Sequence, residues 1–420
     1  MASLWTYFNH PNFWWVLAGT TFLSAISALV GTFTYLQRKS LMGDAIAHGI
    51  LPGVAGGFLI AGEKNALVIM IGAIVWGVLT VSSIEWISRK THLRSSTAMA
   101  VVLSAFFGLG MMLLTVVQTS GLPDASGINS FLFGQAASML PEDLMVYSVF
   151  AVVVAFVLAA VYPHLTIISF DRATAESNGF NVRRVDAVLS ILVVAATAIG
   201  IQSIGLILMA ALLITPAAIA RMWNSRLIGM LIFSGGIAAL AAGMGSVISF
   251  TAPAMPTGPW IVLILFAFTL ISMVISPQRG LLKRYRQQKK NQDIILRENF
   301  IKRLYHQWER SGQTAFHLSD IEDTPSKRTL RYAVNNDWIQ LAGNSIHLSE
   351  KGMREGRRIT RAHRLWELYL SKALRMRDDH VHPSAEVMEH LIGDDLEKEL
   401  LRALDYPLTD PHQRDIPYEP

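Results

Sequence analysis

The 420-residue sequence contains no cysteine, which excludes disulfide bonds and thiolate metal ligands. Any metal site in the chain must therefore use imidazole, carboxylate, amide, thioether or backbone groups. The sequence also lacks a G-x-x-x-x-G-K-[ST] stretch, the loop that cradles the phosphates of ATP. If the protein depends on ATP, a separate subunit must bind the nucleotide.

Charged residues are scarce in the first two thirds of the chain. Up to Pro277 there are 11 Lys or Arg and 9 Asp or Glu, whereas the remaining residues hold 25 and 22. Long apolar runs fill the first part, and about 20 apolar residues span a bilayer. This shift predicts a membrane domain over residues 1–277, followed by a soluble part of roughly 140 residues.

The apolar runs predict eight or nine transmembrane helices. The candidate spans are 14–36, 45–62, 66–87, 97–117, 144–162, 185–203, 205–221, 227–250 and 259–276. The N-terminus lacks the basic region of a cleaved signal peptide, so the first run is expected to be a retained span. Basic loop residues favour the cytoplasm. With nine spans and the N-terminus outside, only Lys64 of the eleven basic residues lies outside, so the soluble part is expected in the cytoplasm.

One stretch of an otherwise apolar run, LMGDAIAHGILPG at 41–53, contains two ionisable residues. Such residues are costly in lipid and commonly functional. Asp44 and His48 are four apart, so they share one helix face and suit a divalent ion such as Mn2+, Fe2+ or Zn2+. The structural alternative is that Asp44 caps the helix and His48 bonds a backbone carbonyl. Spacing alone leaves both interpretations open.

The loop 163–183 is unlike the other predicted cytoplasmic loops. Asp171 is placed to cap a short helix there, and Gly179 to end it. Such a helix between two spans suits docking to a soluble partner. An ordinary amphipathic connector fits the same residues equally well.

Four stretches of the first part resemble a known family of permeases. They are GDAIAHGILPG at 43–53, FDRATAESNGF at 170–180, LMAALLITPAAIAR at 208–221 and MPTGPWIVL at 255–263. In this order they resemble the manganese, zinc and iron type permeases of ATP-binding cassette (ABC) transporters, over residues 10–277. The resemblance implies an all-α polytopic protein of the vitamin B12 importer type in the bacterial inner membrane.

The resemblance also implies partners and site residues. Such permeases work as a pair with two cytosolic ATPase subunits and an extracytoplasmic metal-binding protein. The residues matching Asp44 and His48 are implied to contact the metal in the channel. The loop matching 170–180 is implied to contact the ATPase. Its candidate residues are Asp171, Ala175, Glu176 and Gly179.

The soluble part begins with residues 278–292, a basic juxtamembrane linker that is expected to contact anionic lipid. Residues 293–350 predict helices and then a hairpin turning at Ala342-Gly343-Asn344, the order of a winged-helix-like domain. Winged helices bind DNA or serve as interaction modules. The candidate phosphate contacts are Lys327, Arg328 and Arg331.

Residues 351–420 predict a helical metal-binding and dimerisation domain. The stretches RAHRLWELYL at 361–370, VHPSAEVMEH at 381–390 and YPLTDPHQRDIP at 406–417 resemble the diphtheria toxin repressor family of metal-dependent regulators. The resemblance implies two adjacent metal sites. The first is formed by His363, Glu367 and His382, and the second by Glu386, Glu389 and His390.

Two residues of the first predicted helix after the linker, NFIKRLYHQWER, depart from that family. Asn299 stands where the family has a methionine or aspartate ligand. Lys302 stands where manganese sensors have a glutamate. A lysine at that position would weaken a second metal or replace it with its own charge.

Together these patterns predict a transport subunit and not an enzyme. The leading hypothesis is the permease of an ATP-driven divalent metal importer with a fused cytosolic metal-sensing domain, the metal ion being both substrate and regulator. One alternative makes the C-terminal part a metal-dependent DNA-binding repressor. Another is a proton-coupled secondary transporter, which predicts more buried carboxylates than Asp44, Glu85 and Asp186. Ligand type alone does not choose between Mn2+, Fe2+ and Zn2+.

Overall fold

The chain forms two compact units, Met1–Lys283 and Arg284–Pro420. The computed structural model describes residues 11–63, 65–122, 139, 141–251, 256–321, 325–372, 388 and 392–418. Helices dominate both units, and the short strands belong to the second.

The first unit is built from apolar helices. Eight described segments are long and apolar enough to cross a membrane, with α2 (Leu41–Gly49) and α3 (Leu51–Ala61) counted together, while α9 (Leu206–Trp223) is a shorter apolar helix. The protein is therefore a multi-pass membrane protein. The helices are α1 Pro11–Leu36, α2 Leu41–Gly49, α3 Leu51–Ala61, α4 Ala66–Lys90, α5 Ser95–Thr119, α6 Pro141–Phe170, α7 Arg172–Ser177, α8 Val182–Ile204, α9 Leu206–Trp223, α10 Leu227–Thr251 and α11 Thr257–Ile275.

Helix α6 is longer than the predicted span at 144–162. It continues through Pro163 to Phe170, so the connection to α8 is shorter than the predicted loop 163–183. Proline ends helices in water, but it is tolerated in membrane helices because neighbouring groups satisfy the freed backbone atoms. The loop that was predicted to begin at Pro163 is therefore helical as far as Phe170.

Helices α2 and α3 are separated at Ile50, two residues before a proline. Pro52 lies in the first turn of α3, where its missing N–H needs no intrahelical partner. Helix α2 contacts α4, α5, α8 and α9. All of its residues are buried except Leu41, Asp44 and His48. The ionisable pair therefore lies on the partly accessible side of a helix that is otherwise enclosed by the bundle.

Close approach of α3 to α4 depends on two facing glycines. A Cβ added at Gly53 would lie 2.1 Å from the carbonyl oxygen of Gly72, and one at Gly72 would lie 2.3 Å from that of Gly53. Small residues allow such backbone contacts, which drive helix association where lipid removes the hydrophobic effect.

Hydroxyl groups join α1 to α10 inside the bundle. Thr20 Oγ1 lies 2.9 Å from Ser246 Oγ, and Thr32 Oγ1 lies 2.8 Å from Ser234 Oγ. All four side chains are fully buried. Each hydroxyl thus has a partner where no lipid atom offers one.

The second unit combines helices with a small antiparallel sheet. Its three strands are β1 (Ala315–His317), β2 (Ile339–Ala342) and β3 (Ser345–Leu348). Their order in the sheet is β1-β3-β2, and β2 and β3 form the predicted hairpin. Strand β1 was not predicted, because three residues are too short for an alternating pattern. The elements are α12 Leu281–Ser311, β1 Ala315–His317, a 3₁₀ turn Leu318–Asp320, α13 Lys327–Asn335, β2 Ile339–Ala342, β3 Ser345–Leu348, α14 Glu350–Lys372 and α15 Asp394–Ala403.

Helix α12 begins at Leu281, so most of the predicted linker 278–292 is helical. Its later turns bury Phe300, Ile301 and Leu304 in a cluster with residues of the sheet and of α14. This cluster is the hydrophobic core that fixes α12 and α14 within the second unit.

We expect Gly53→Ala to lower the thermal stability of the membrane unit, because its methyl group would meet the Gly72 carbonyl. Overpacking of this kind costs about 1–3 kcal/mol. Melting of the detergent-solubilised chain, followed by fluorescence size-exclusion chromatography, measures the effect. Gly56→Ala on the same helix is the matched control, since a Cβ at Gly56 meets nothing within 4 Å. Equal melting temperatures for the two variants would contradict the packing argument.

Candidate functional site

Asp44 and His48 form a close pair on α2. His48 Nε2 lies 3.4 Å from Asp44 Oδ1, and the two side chains are 25% and 37% exposed respectively. Helical spacing places them on one face, as the sequence predicts. Both side chains are thus partly accessible, whereas all their neighbours on α2 except Leu41 are buried.

The His48 ring is held by packing on one side. It meets Phe107 of α5 edge to face, with ring centroids 4.9 Å apart. Its Nδ1 atom is buried and has no hydrogen-bond partner within the described residues. Nor does a third His, Asp or Glu of the described chain join the pair to make a three-ligand metal group. The pair therefore offers two ligands, from one carboxylate and one imidazole.

The short helix α7 is capped as predicted. Asp171 accepts hydrogen bonds from the Thr174 hydroxyl at 2.6 Å and the Thr174 backbone N–H at 2.9 Å. These bonds lower the pKa of the Asp171 carboxyl below its ordinary value. Gly179 follows the helix with a φ of +79°, a backbone conformation that favours glycine. Ala175 is buried, whereas the Glu176 side chain is 60% exposed.

A buried carboxylate ties α7 to the segment just before α2. Asp186, in the first turns of α8, is 7% exposed. Its Oδ2 accepts a hydrogen bond from Arg172 Nη2 at 3.0 Å, and its Oδ1 lies 3.3 Å from Lys39 Nζ. Arg172 opens α7, and Lys39 lies two residues before α2. Asp186 was not among the predicted site residues, although an aspartate in an apolar run is the signal that could have identified it.

The second unit brings together two residues of the predicted sensor site and Lys302. Lys302 Nζ lies 3.2 Å from His363 Nδ1 in a buried hydrogen bond. His363 Nε2 lies 3.2 Å from Glu367 Oε1. Asn299, the other predicted ligand of α12, is half-buried and lies one turn before Lys302.

The contacts of His363 with Lys302 and Glu367 leave no ring nitrogen of His363 available to bind a metal ion. An imidazole binds a metal through a nitrogen lone pair, and both ring nitrogens already have protein partners. Among the residues that the structure describes, no group of three His, Asp or Glu could hold a metal. The other predicted ligands lie outside the described residues; they are His382, Glu386, Glu389 and His390.

His306 is a further buried imidazole on α12, one turn after Lys302. Burial, and then the positive charge of Lys302, lower the pKa of His306 to about 3. Its Nε2 atom is buried and lacks a hydrogen-bond partner within the described residues. His306 is therefore neutral near pH 7 and adds no charge to the Lys302 neighbourhood.

The predicted DNA contacts lie at the start of α13. Lys327 and Arg331 are exposed. Arg328 is also exposed but lies 3.3 Å from Asp293 Oδ2 of α12. The basic residues therefore face solvent, with one of them partly neutralised.

The bundle of apolar helices is that of a polytopic membrane protein. Residues 9–276 match the model of the ABC 3 transport family; the chain belongs to this family. Residues 349–418 match the model described as the iron dependent repressor, metal binding and dimerisation domain. The two resemblances predicted from sequence motifs are confirmed, and membership places the chain among transport proteins and not among enzymes.

Individual relatives cover most of the chain. The manganese transport system membrane protein MntC of Bacillus subtilis is 35% identical over 382 residues, 88% of this chain and 86% of the relative. The zinc transport system membrane protein TroC of Treponema pallidum is 36% identical over 282 residues, 67% and 95% of the two chains. The solved PsaBC structure from Streptococcus pneumoniae has a TM-score of 0.58 at 31% identity, covering 66% of this chain and 96% of that one.

Proposed function

We propose that this chain forms the membrane path of an ATP-driven importer of divalent metal ions, and that Asp44 and His48 contact the ion in transit. The observation that carries the proposal is the placement of this pair on the one accessible side of α2. The relatives named for manganese and zinc transport support a transition-metal substrate. The donor set, one oxygen and one nitrogen, suits Mn2+, Fe2+ and Zn2+ alike.

The geometry of the pair suits brief contact with an ion. Two ligands of a tetrahedral ion with bonds of about 2.1 Å lie about 3.4 Å apart, which matches the distance between His48 Nε2 and Asp44 Oδ1. Two protein ligands leave most of the coordination sphere to water. An ion held in this way is released readily, as transport requires.

If ATP drives transport, a partner subunit must bind the nucleotide, because the sequence has no phosphate-cradling loop. We infer a cytosolic ATPase subunit, an extracytoplasmic metal-binding protein and a second copy of the permease, as the family implies. A proton-coupled mechanism would require further carboxylates along the path, whereas Asp186 is consumed by ion pairs and Glu85 pairs with Arg89. Membership of an ABC family favours ATP-driven transport.

Asp186 offers a physical link between the ATPase-facing helix and the metal pair. Movement of α7 would act on Asp186 through Arg172, and Asp186 would act on Lys39, five residues before Asp44. Because Asp186 is buried, leaving its carboxylate without a cationic partner is costly. We infer that Asp186 is a positioning residue that transmits motion from α7 to α2.

We propose that the cytosolic part regulates transport. The three-stranded sheet with α12 and α13 supports a winged-helix-like domain over residues 293–350, and the family match supports dimerisation over residues 351–420. The basic loop residues support a cytoplasmic location for this part and the C-terminus, with the N-terminus outside. A DNA-binding repressor is the second candidate, which the exposed Lys327 and Arg331 favour.

The proposal predicts that Asp44→Ala/His48→Ala reduces metal uptake by at least tenfold at equal expression. Metal-starved cells would express the chain with its ATPase and binding protein, and uptake of Mn2+, Fe2+ and Zn2+ would be compared. Glu85→Gln is the control, because Glu85 forms an exposed helical ion pair. Normal uptake by the double variant would make the pair structural and move the path elsewhere.

Removal of the Asp186 charge is expected to uncouple hydrolysis from transport. In proteoliposomes with the ATPase, Asp186→Asn should increase the ATP hydrolysed per metal ion several-fold, and Asp186→Glu should restore part of the coupling. A purely structural role would lower hydrolysis and transport in proportion. An unchanged ratio in Asp186→Asn would therefore refute the positioning role.

Truncation after residue 289 should abolish control of uptake without abolishing uptake itself. Initial Mn2+ uptake is measured in cells preloaded with low or high internal metal. Mn2+ uptake by the intact chain is expected to slow at high internal metal, whereas uptake by the truncated chain keeps its rate. If both chains respond alike, the cytosolic part does not regulate transport, and a transcript assay with Arg331→Ala then tests the DNA-binding alternative.

A further inference from the structure

Three polar side-chain contacts join α12 to α14 in the second unit. Glu298 pairs with Arg358 at 3.4 Å. Glu309 accepts hydrogen bonds from Nη1 and Nη2 of Arg364, at 3.0 and 2.8 Å. Between them in sequence, Lys302 meets His363. The outer two contacts are ordinary ion pairs, but the Lys302 contact joins a cation to an imidazole.

The Lys302–His363–Glu367 cluster is fully buried. The three residues are 8%, 4% and 2% exposed, in that order. A buried charge is tolerated when an opposite charge and hydrogen bonds compensate it. Lysine supplies one positive charge and glutamate one negative charge, so the cluster is balanced when the imidazole between them is neutral.

Hydrogen-bond directions in the cluster require that neutral imidazole. An ammonium group only donates, so His363 Nδ1 must accept from Lys302 through its lone pair. The ring proton then lies on Nε2 and faces the Glu367 carboxylate. Each group meets a complementary one. The lone pair that would bind a metal is already used.

A divalent ion would therefore compete with Lys302 for His363. It would have to displace the ammonium from Nδ1, or the proton from Nε2, while remaining near a fixed positive charge. Like charges repel strongly in a buried site, where the dielectric is low. Lysine and metal are alternative occupants of one position.

We propose that the Lys302 ammonium is a tethered cation that takes the place of a divalent metal at His363 and Glu367, so that α12 and α14 are held together without metal. The inference concerns the cytosolic unit and does not depend on the transport path. A metal-responsive tail would then have to use the candidate ligands on residues 382–390.

Metal binding to the full-length chain tests the proposal. The detergent-solubilised protein carries Asp44→Ala/His48→Ala, which removes the two proposed ligands of the transport path. Bound Mn2+ is measured from the loss of the free-ion electron paramagnetic resonance signal. In this background we expect Glu367→Gln to remove no bound Mn2+. Lys302→Glu should add about one Mn2+ per chain, and adding Glu367→Gln should remove it again.

Matched variants separate the effect from general charge and folding. Lys351→Glu makes the same charge change at an exposed position of α14 and should add no Mn2+. If Lys302→Glu does not fold, Lys302→Gln replaces it, and Mn2+ should raise the melting temperature of the Gln variant by several degrees but leave the Lys302 chain unchanged.

Two results would overturn the proposal. The first is Mn2+ binding by the Lys302 chain that Glu367→Gln abolishes, because the metal and the ammonium would then coexist. The second is a folded Lys302→Glu variant that gains no Mn2+, because the position would then have no affinity for a free cation.

Discussion

Compensation of buried charge is the constraint on which both units depend. Neither lipid nor protein interior solvates an ion, so each buried charged group needs an opposite partner. Asp186 satisfies this with Lys39 and Arg172, residues that come from two other segments of the membrane unit. Lys302 satisfies it through His363 toward Glu367. In each case the charge draws together elements that are distant in sequence.

Within the membrane unit, backbone proximity replaces hydrophobic burial as the source of helix association. The facing glycines at positions 53 and 72 bring α3 against α4, and paired hydroxyls join α1 to α10. Helix α2 is enclosed on nearly every side by α4, α5, α8 and α9. The ionisable pair lies on its remaining, partly exposed side.

The chain contains two histidine–carboxylate pairs at the same i, i+4 spacing with opposite properties. Asp44 and His48 are partly exposed, and one ring nitrogen has no partner within the described residues. His363 and Glu367 are buried, and both ring nitrogens are engaged. Equal spacing therefore does not imply equal chemistry. The two pairs differ in solvent exposure and in the contact of Lys302 with His363.

The sequence by itself determined the class of the protein. Apolar run lengths, the Asp44–His48 spacing, the Asp171 cap and the hairpin follow from local patterns, and the family motifs are contiguous in sequence. Tertiary structure decided what local patterns do not encode. The passage of α6 through Pro163, the double pairing of Asp186 and the position of Lys302 against His363 depend on neighbours from distant segments. Such contacts are set by packing and charge compensation in space, for which a single sequence has no periodic signal.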